Sequence, residues 1–425
     1  MGLYIYIIKK FSIKQLMNYQ CILYFVTSTS LSLLFIGIPV SRALSSVGMG
    51  LVLFTWLVSG DYQGKWQLIR DNPLSLPVFL LWLLTFVASL WSVGDWATIE
   101  KQFFIYVRLL WFFLILSLVQ STQHKKWAWW TFCAGCAINV VMGLVNTYMP
   151  VEWYGVLGLT QWSHETVLTN HNAQGAVIAF FAAACFIYMQ SSQTKSMKAL
   201  CTVFLALAVA SSALFSQSRS GFVVIVLAVL AVIFVSISKD KRLALGLGLC
   251  IVLMGLSYFS PKMSARFMQM NAEISQYFAT GDFETSVGFR IEMWRRGVDF
   301  FLSSPIWGHG TGSYYKLASA VYTEGQCAIV CNHPHNQFLF FAVEFGMIGV
   351  GLFVYWFYKM LKSAAMSVSE QDRYLWIAFV VVFVSECFLN LPLYSSSERT
   401  FFICLMGLLV YSPLKNTRPQ QSAFK

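Results

Sequence analysis

Twelve apolar stretches, each long enough to cross about 30 Å of hydrocarbon as a helix, constrain what this chain can fold into. Of its 425 residues, 57% are hydrophobic and only 11% are charged, whereas a soluble domain carries about 25% charged residues. The sequence therefore predicts an all-α, polytopic integral membrane protein. The predicted spans are residues 21–40, 43–59, 74–92, 103–119, 127–149, 173–190, 199–215, 221–238, 243–259, 337–358, 374–394 and 399–414.

The basic residues indicate how these helices are oriented. The formal net charge of +11 is not gathered in runs interleaved with polar residues, as nucleic-acid binding would require, but recurs in every second connection between apolar stretches. Cytoplasmic loops carry the excess of Lys and Arg, so both termini are predicted to be cytoplasmic. The intervening, outer connections contain only Arg42, Lys101, Arg219 and Arg399 outside the two longer loops.

One outer connection, residues 260–336, is far longer than the others. Because loops of this length are typically functional, the sequence predicts a single membrane domain over residues 1–425 with a large helical periplasmic loop at 260–336. A shorter outer loop, residues 150–172, contains His164 and His171. The first apolar stretch lacks a small-residue cleavage site and is expected to be retained. Function is expected to face outward.

Three arginines lie in the long loop on a stretch with apolar residues at helical spacing. This pattern begins at Ser286 and is ended by Pro305, so an amphipathic helix is predicted. Arg290, Arg295 and Arg296 would rest against lipid phosphates if the helix only lies on the membrane. They would instead form an anion site if they bind a phosphorylated substrate, because guanidinium groups grip phosphate bidentately.

Two histidines directly precede the tenth apolar stretch. The segment "CNHPHN" places His333 and His335 on either side of Pro334 and ends in Asn336. An imidazole titrates near neutral pH and suits a general base, and Asn336 is expected to hold it in place. A His-x-His pair also chelates metals, but no Asp-x-Asp accompanies it, so no metal is expected. Whether Cys327 and the first cysteine of this segment form a disulfide stays open.

Three charges lie inside the apolar stretches at a similar depth below the outer surface: Arg108, Glu344 and Glu386. Charges within a membrane are costly and usually paired. The sequence therefore predicts that Arg108 pairs with one of the two glutamates. This pairing is a structural role, distinct from the chemistry expected of the outer loop.

The residues around His335 resemble a known family. His335 and Asn336 are followed by nine residues and then by Gly346 and Gly349, which resembles the H-N-x9-G-x-x-G motif of bacterial O-antigen ligases. These form a superfamily with O-antigen polymerases and O-linked oligosaccharyltransferases. The resemblance is closest over residues 211–351 and extends to the twelve-span plan. It implies a helical, largely membrane-embedded glycosyltransferase that uses no cofactor.

The resemblance also implies roles for individual residues. His335 matches the family's histidine, Arg219 in "SRSG" matches an arginine at the start of a span, and Arg290 matches an arginine on the amphipathic helix. These three are the expected catalytic residues. The family's R-x3-L pattern is not met, because Trp294 follows Arg290, so Arg295 stays an alternative. Further substrate contacts are expected from residues already introduced, namely Arg295, Arg296, His333 and Asn336.

By this resemblance the protein would be an O-antigen ligase of the bacterial inner membrane. It would move a preassembled glycan from undecaprenyl diphosphate to a sugar of lipid A core, with inversion, on the periplasmic side. Its partners would be this donor, this acceptor and membrane lipids, with no nucleic acid. A protein O-oligosaccharyltransferase and an O-antigen polymerase share the same core and remain alternatives. A transporter or flippase would carry charges through the mid-membrane and repeated halves, which the sequence lacks.

Overall fold

The computed structural model describes residues 13–119, 121–148, 171–212, 219–259, 261–365, 367 and 369–410. Throughout these ranges the regular elements are helices and no strand is present, which confirms the all-α class. The basic residues before position 13 and after position 410, and His164 in the shorter outer loop, lie outside the described residues.

Every predicted apolar stretch coincides with a helix in the described part of the chain. Two 3₁₀ turns, Ala88–Trp91 and Val107–Leu110, separate some of these helices. The helices are α1 (Ile13–Val40), α2 (Arg42–Val58), α3 (Tyr62–Asp71), α4 (Ser75–Val87), α5 (Trp96–Tyr106), α6 (Trp111–Leu118), α7 (Thr122–Tyr148), α8 (His171–Ser191), α9 (Lys195–Ala210), α10 (Arg219–Ser236), α11 (Lys239–Phe259), α12 (Pro261–Thr280), α13 (Ser286–Ser303), α14 (Ser313–Ser319), α15 (Glu324–Val330), α16 (Gln337–Ala365), α17 (Glu370–Leu389) and α18 (Ser396–Leu409).

Not all of these helices are long enough to cross a membrane on their own. Within the described residues, five helical segments have the required length and hydropathy, and a sixth is added if α2 and α3, which are bent by 116°, count as one span. These helices fit a multi-pass membrane protein, whereas the twelve spans remain a prediction. The five segments are Gln20–Val40, Trp96–Leu118, Thr122–Val145, His171–Ser191 and Gln337–Ala365.

Helices α8 and α18 lie at the centre of the bundle. Both are buried along most of their length and on every side, as expected for a helix surrounded by others. Alanines 182–184 in α8 let neighbouring helices approach closely. Helix α8 packs against α9, α10 and α17, and α18 packs against α6 and α17. Phe180, Phe379, Phe401 and Phe402 fill the space between them with ring contacts.

Helix α16 is kinked at Gly346, whose φ of 61° and ψ of −156° are not helical. The glycine-rich loop before α14 satisfies the backbone groups around the kink. The N–H of Met347 donates to the carbonyl of Pro305 (2.8 Å), and the N–H groups of residues 309 and 310 donate to the carbonyls of residues 343 and 344 (2.9 and 2.8 Å). These bonds satisfy one N–H group and two carbonyls at the kink, which helps an apolar helix to tolerate it.

The long loop between α11 and α16 is itself mostly helical, comprising α12 to α15. Helix α13 is the predicted amphipathic helix. It begins after Thr285, whose hydroxyl accepts a hydrogen bond from the N–H of Gly288 (3.0 Å), and it ends before Pro305. It packs against α12 and α16, so it bridges the loop and the membrane bundle. At the end of α15, Cys327 and Cys331 form a disulfide.

Candidate active site

His335 lies in a tight turn before α16. Its backbone is left-handed (φ 51°), a conformation that a non-glycine residue adopts only where its surroundings fix it. Asn336 supplies that constraint. Its Oδ1 accepts a hydrogen bond from the N–H of Leu339 (2.9 Å), capping α16, and its Nδ2 donates to the carbonyl of Phe388 (3.3 Å). Both ends of the amide are therefore engaged, which favours a positioning role over the substrate contact expected from the sequence.

The two histidines of the turn are in contact and half-buried. The ring centroids of His333 and His335 are 4.5 Å apart at 80°, and His333 also packs against Tyr394. Burial lowers the pKa of His333 to about 4, and the charge of Lys101 contributes. Burial, His333 and the charge of Arg290 together lower the pKa of His335 to about 3. Both rings are thus neutral at pH 7 and able to accept a proton, but the lowered pKa makes each a weaker base than the near-neutral imidazole expected from the sequence.

A chain of hydrogen bonds connects three helices next to His335. The Nδ2 of Asn390 donates to Glu386 (2.6 Å), the Nδ2 of Asn172 donates to the Oδ1 of Asn390 (2.7 Å), and the hydroxyl of Ser220 donates to Asn172 (3.1 Å). The side chain of Asn390 also acts on His335, where it opposes the lowering of the pKa by burial. The chain ties the ends of α17, α8 and α10 together, and a satisfied buried network of this kind is rigid.

Arg290 lies close to this network, and Arg219 belongs to the helix that begins beside it. Arg219 is the first residue of α10, adjacent to Ser220, and its side chain lies outside the described part of the structure. Arg290 is half-buried on α13, close enough for its charge to act on both His335 and Glu386. The N-terminus of α10 adds its positive dipole end. The structure therefore brings together a neutral imidazole, a guanidinium and a helix N-terminus.

Arg295 and Arg296 are held elsewhere on α13. Arg295 donates to both carboxylate oxygens of Glu292 (2.9 and 2.7 Å), and Arg296 donates to one of them (3.0 Å). The hydroxyl of Tyr277 also donates to Glu292 (3.1 Å). At 100° per residue, Arg290 and Arg295 point about 140° apart around the helix. The structure favours Arg290 over its rival and gives the other two arginines a structural partner.

The ion pair predicted for Arg108 is not formed. Arg108 donates to the hydroxyl of Ser396 (3.3 Å) and lies over the ring of Trp111, and neither Glu344 nor Glu386 is its partner. The prediction assumed that charges at equal depth meet. The depth of a residue in the membrane does not determine which way its side chain points around the helix. Arg108 lies on a 3₁₀ turn that directs its side chain toward α18.

Glu344 instead anchors the glycine-rich turn before α14. Its Oε1 accepts hydrogen bonds from the N–H of Gly312 (3.0 Å) and from the Nε2 of Gln102 (3.1 Å). In the same turn, the hydroxyl of Thr311 donates to the carbonyl of Thr85 (2.6 Å). These donors offset the cost of burying the carboxyl group without a cation. Glu344 therefore joins α5, α14 and α16 rather than contributing to the site around His335.

Sequence reasoning gave no role in the site to five polar residues, Asn390, Asn172, Ser220, Tyr394 and Lys101. Asn390 and Glu386 share one turn of an apolar stretch, and a polar side chain there is a detectable signal. Asn172 follows a histidine and directly precedes the sixth apolar stretch, just as Asn336 follows a histidine and directly precedes the tenth. The positions of Ser220, Tyr394 and Lys101 depend on long-range packing, Lys101 lying over the ring of Tyr394 at 5.9 Å. Among the described residues, no group of three or more His, Cys, Asp or Glu side chains could hold a metal ion.

Fold and site together define a multi-pass helical membrane protein with a polar site where its bundle meets a helical loop. Residues 204–354 match the family model described as O-antigen ligase, which confirms the resemblance over this segment. The segment contains Arg219, Arg290 and His335. This segment therefore falls within the superfamily of O-antigen ligases, O-antigen polymerases and O-linked oligosaccharyltransferases.

Two further similarities were found. A protein of Haemophilus influenzae, described as uncharacterized, is 29% identical over 157 residues, which cover 35% of this chain and 38% of that protein. A chain from a solved structure described as "Structural coordination of polymerization and crosslinking by a peptidoglycan synthase complex" superposes with a TM-score of 0.46 and 16% identity. That alignment covers 82% of this chain and 98% of the other.

Proposed function

We propose that the protein is an O-antigen ligase of the bacterial inner membrane. It is an inverting glycosyltransferase that moves a preassembled glycan from undecaprenyl diphosphate to a sugar of lipid A core at the periplasmic face. One observation carries the proposal. The neutral, half-buried His335 lies close enough to Arg290 and Asn390 for both to act on its pKa, and hydrogen bonds connect Asn390 through Asn172 to the start of α10, where Arg219 lies.

The donor chemistry accounts for the arginines. A diphosphate bonded to an anomeric carbon is already a good leaving group, so the reaction needs neither a nucleotide nor a cofactor. Negative charge grows on the diphosphate as the glycosidic bond breaks. Arg219, Arg290 and the N-terminus of α10 hold the diphosphate and stabilise that charge, an effect that is often worth several kcal/mol when the donors are preorganised.

The acceptor chemistry accounts for the histidine. A hydroxyl of the acceptor sugar attacks the anomeric carbon from the face opposite the diphosphate. A C–O bond forms to the acceptor, the C–O bond to the diphosphate breaks, and the proton of the hydroxyl passes to the neutral ring of His335. Attack from the opposite face inverts the anomeric configuration. Asn390 and Asn336 position the imidazole for this step.

An apolar groove supports a polyprenyl donor. Helices α10, α16 and α17 line a cavity of about 620 Å³ whose walls include Leu227, Phe234, Phe357 and Val381. The groove reaches Ser385, the residue before Glu386, so it leads from the bilayer interior to the polar network. A long isoprenoid tail would bury apolar surface there while its diphosphate reaches the arginines. The disulfide at the end of α15 supports an oxidising, periplasmic location for the loop.

Complementation of a strain that lacks its own ligase tests the proposal. Wild-type protein is expected to restore long-chain lipopolysaccharide on a gel. His335→Ala and Arg290→Ala are expected to lose it, because a general base alone contributes about 10²–10⁴-fold. Arg70→Ala, an exposed arginine paired with Asp71, is the matched control at equal expression. Glycan chains growing on undecaprenyl diphosphate would indicate a polymerase, and glycan on an exported protein an oligosaccharyltransferase.

A further inference from the structure

A disulfide lies immediately before residues 332–335, which we name the histidine turn. It joins Cys327 in α15 to Cys331 directly after that helix, four residues further along the chain. The other cysteines of the chain are free thiols. A cross-link that closes so short a loop removes little freedom from an unfolded chain, because the stabilisation grows with the size of the closed loop. The disulfide is therefore expected to act locally, on the segment that it adjoins.

The backbone of the histidine turn makes no hydrogen bond to any residue that the structure describes. The last bond before it runs from the N–H of Cys331 to the carbonyl of Cys327 (3.1 Å), and the next backbone bond runs from the N–H of Phe340 to the carbonyl of Asn336 (2.9 Å). Between them, His335 has a left-handed backbone with a φ of 51°. Such a conformation persists only where its surroundings fix it. The turn therefore depends on side-chain packing and on its two ends.

The two ends of the turn are anchored in different ways. Asn336 holds the end that leads into α16, through the two hydrogen bonds of its amide. At the other end, Val330 and Cys331 are fully buried in the hydrophobic core. The helix that carries them, α15, has only seven residues, and an isolated helix shorter than about 12 residues is marginal in water. A further restraint on this helix is therefore needed.

The disulfide supplies that restraint at the last turn of α15. The first turn is closed by the side chain of Gln326, which accepts a hydrogen bond from the N–H of Thr323 (3.3 Å). Residues four apart lie on the same face of a helix, so a bond between Cys327 and Cys331 keeps the last turn helical. It also fixes the point from which the histidine turn departs.

We propose that the disulfide holds the histidine turn in its folded conformation and thereby positions His335. The positioning of His335 for the reaction rests on the proposed function, whereas the restraint on the turn follows from the structure alone. Once the bond is reduced, the last turn of α15 opens and the histidine turn gains freedom. Cys327 is partly exposed and Cys331 is buried, so a reductant reaches the Sγ of Cys327 first.

Hydrogen–deuterium exchange of the purified full-length protein tests the restraint without using the reaction. A water-soluble phosphine attacks the Sγ of Cys327, the S–S bond breaks, and Cys331 leaves as a thiolate that takes a proton from water. Water then releases Cys327 as a thiol, and the phosphine becomes its oxide. We expect the amides of residues 332–339 to exchange about tenfold faster or more after reduction, and those of α13 to be unchanged. Equal exchange in the oxidised and reduced wild type would overturn the proposal.

Variants show whether the exchange depends on this bond. Cys327→Ser, Cys331→Ala should exchange at the faster rate with and without the phosphine. Cys21→Ser, which removes an exposed free thiol, is the matched control and should respond to the phosphine as the wild type does. The comparison of the oxidised with the reduced wild type needs no substitution, so it decides the question even if the double variant does not fold.

Transfer measured on the same samples tests the positioning of His335. Reduction should lower kcat about tenfold with little change in KM, because a loosened turn misplaces the base and leaves the diphosphate contacts in place. The acid limb of kcat/KM should also move to higher pH, since an open turn exposes the imidazole to water. Faster exchange with an unchanged kcat and pH profile would reject the positioning role. Absence of transfer in both states would reject the proposed function, and the exchange result would still decide the restraint.

Discussion

At the residue scale, Asn390 connects most of the candidate active site with one amide. It donates to Glu386, accepts from Asn172 and lies close enough to His335 to act on its pKa. Asn390→Ala removes both hydrogen bonds and the interaction with His335 without adding charge, so we expect the transfer rate to fall about 10- to 100-fold while the protein still folds. Transfer in membranes at matched expression measures this effect. Asn271→Ala, an exposed asparagine on α12, is the control, and an unchanged rate in Asn390→Ala would contradict the positioning role.

The pH dependence of transfer follows from the environment of His335. Burial, His333 and the charge of Arg290 lower its pKa from 6.5 to about 3, so the ring stays neutral and able to accept a proton as the pH falls through 6.5. We expect kcat/KM, which reports the free enzyme, to stay level from pH 7 to pH 5 and to fall only at more acidic pH. Arg290→Gln removes one cause of the lowered pKa and should move that fall to higher pH. A half-maximal rate near pH 6.5 in the wild type would contradict this.

Part of the site could be predicted from the sequence because local sequence patterns identify its residues. His335 and Arg290 lie in short patterns that resemble a known motif, and their residue types fit proton and phosphate chemistry. The partner of Arg108 could not be predicted in this way, because it depends on the direction of a 3₁₀ turn and the position of α18. Ser220 was missed for the same reason, since its contact with Asn172 joins helices 48 residues apart in sequence.

At the element scale, the kink of α16 requires glycine. Gly346 has a φ of 61°, and a Cβ there would collide with the carbonyl oxygen of Ile306. We expect Gly346→Ala to destabilise the protein by about 2–4 kcal/mol or to prevent its accumulation, because strain and collision add. Gly351→Ala, in the same helix with open space around its Cβ position, should change the stability little. Thermal unfolding in detergent, followed by size-exclusion chromatography, compares the two. Equal melting temperatures would contradict a required kink.

The same elements show why hydropathy predicts helices better than it predicts spans. Apolar periodicity located α13 and every apolar helix, because helix formation depends on near neighbours in sequence. The bend of 116° between α2 and α3 leaves no comparable signature. The kink at Gly346 is stabilised by a loop well before it in the chain, residues 305–310. Such features are set by tertiary contacts, which a window of sequence does not contain.

At the scale of the whole molecule, the turn at residues 390–395 organises two polar regions at one end of the bundle. Gln337, the first residue of α16, accepts a hydrogen bond from the N–H of Leu393 (3.1 Å), and Arg399 donates to the carbonyls of Leu393 and Tyr394 (3.0 and 2.6 Å). The turn is therefore held from both sides. His333 packs against Tyr394 of this turn, and Ser396, which follows the turn, accepts a hydrogen bond from Arg108.

The orientation of the whole chain can be tested with its own cysteines. Cys327 and Cys331, disulfide-bonded in the long loop, are predicted to face the periplasm, and the free, exposed Cys21 on α1 is predicted to lie near the cytoplasm. A membrane-impermeant maleimide added to spheroplasts should therefore label the loop only after reduction, and Cys21 only after permeabilisation. Peptide mass spectrometry reads both outcomes from one sample. Labelling of the loop only after permeabilisation would reverse the predicted orientation and place the candidate active site on the cytoplasmic side, where the proposed acceptor would not reach it.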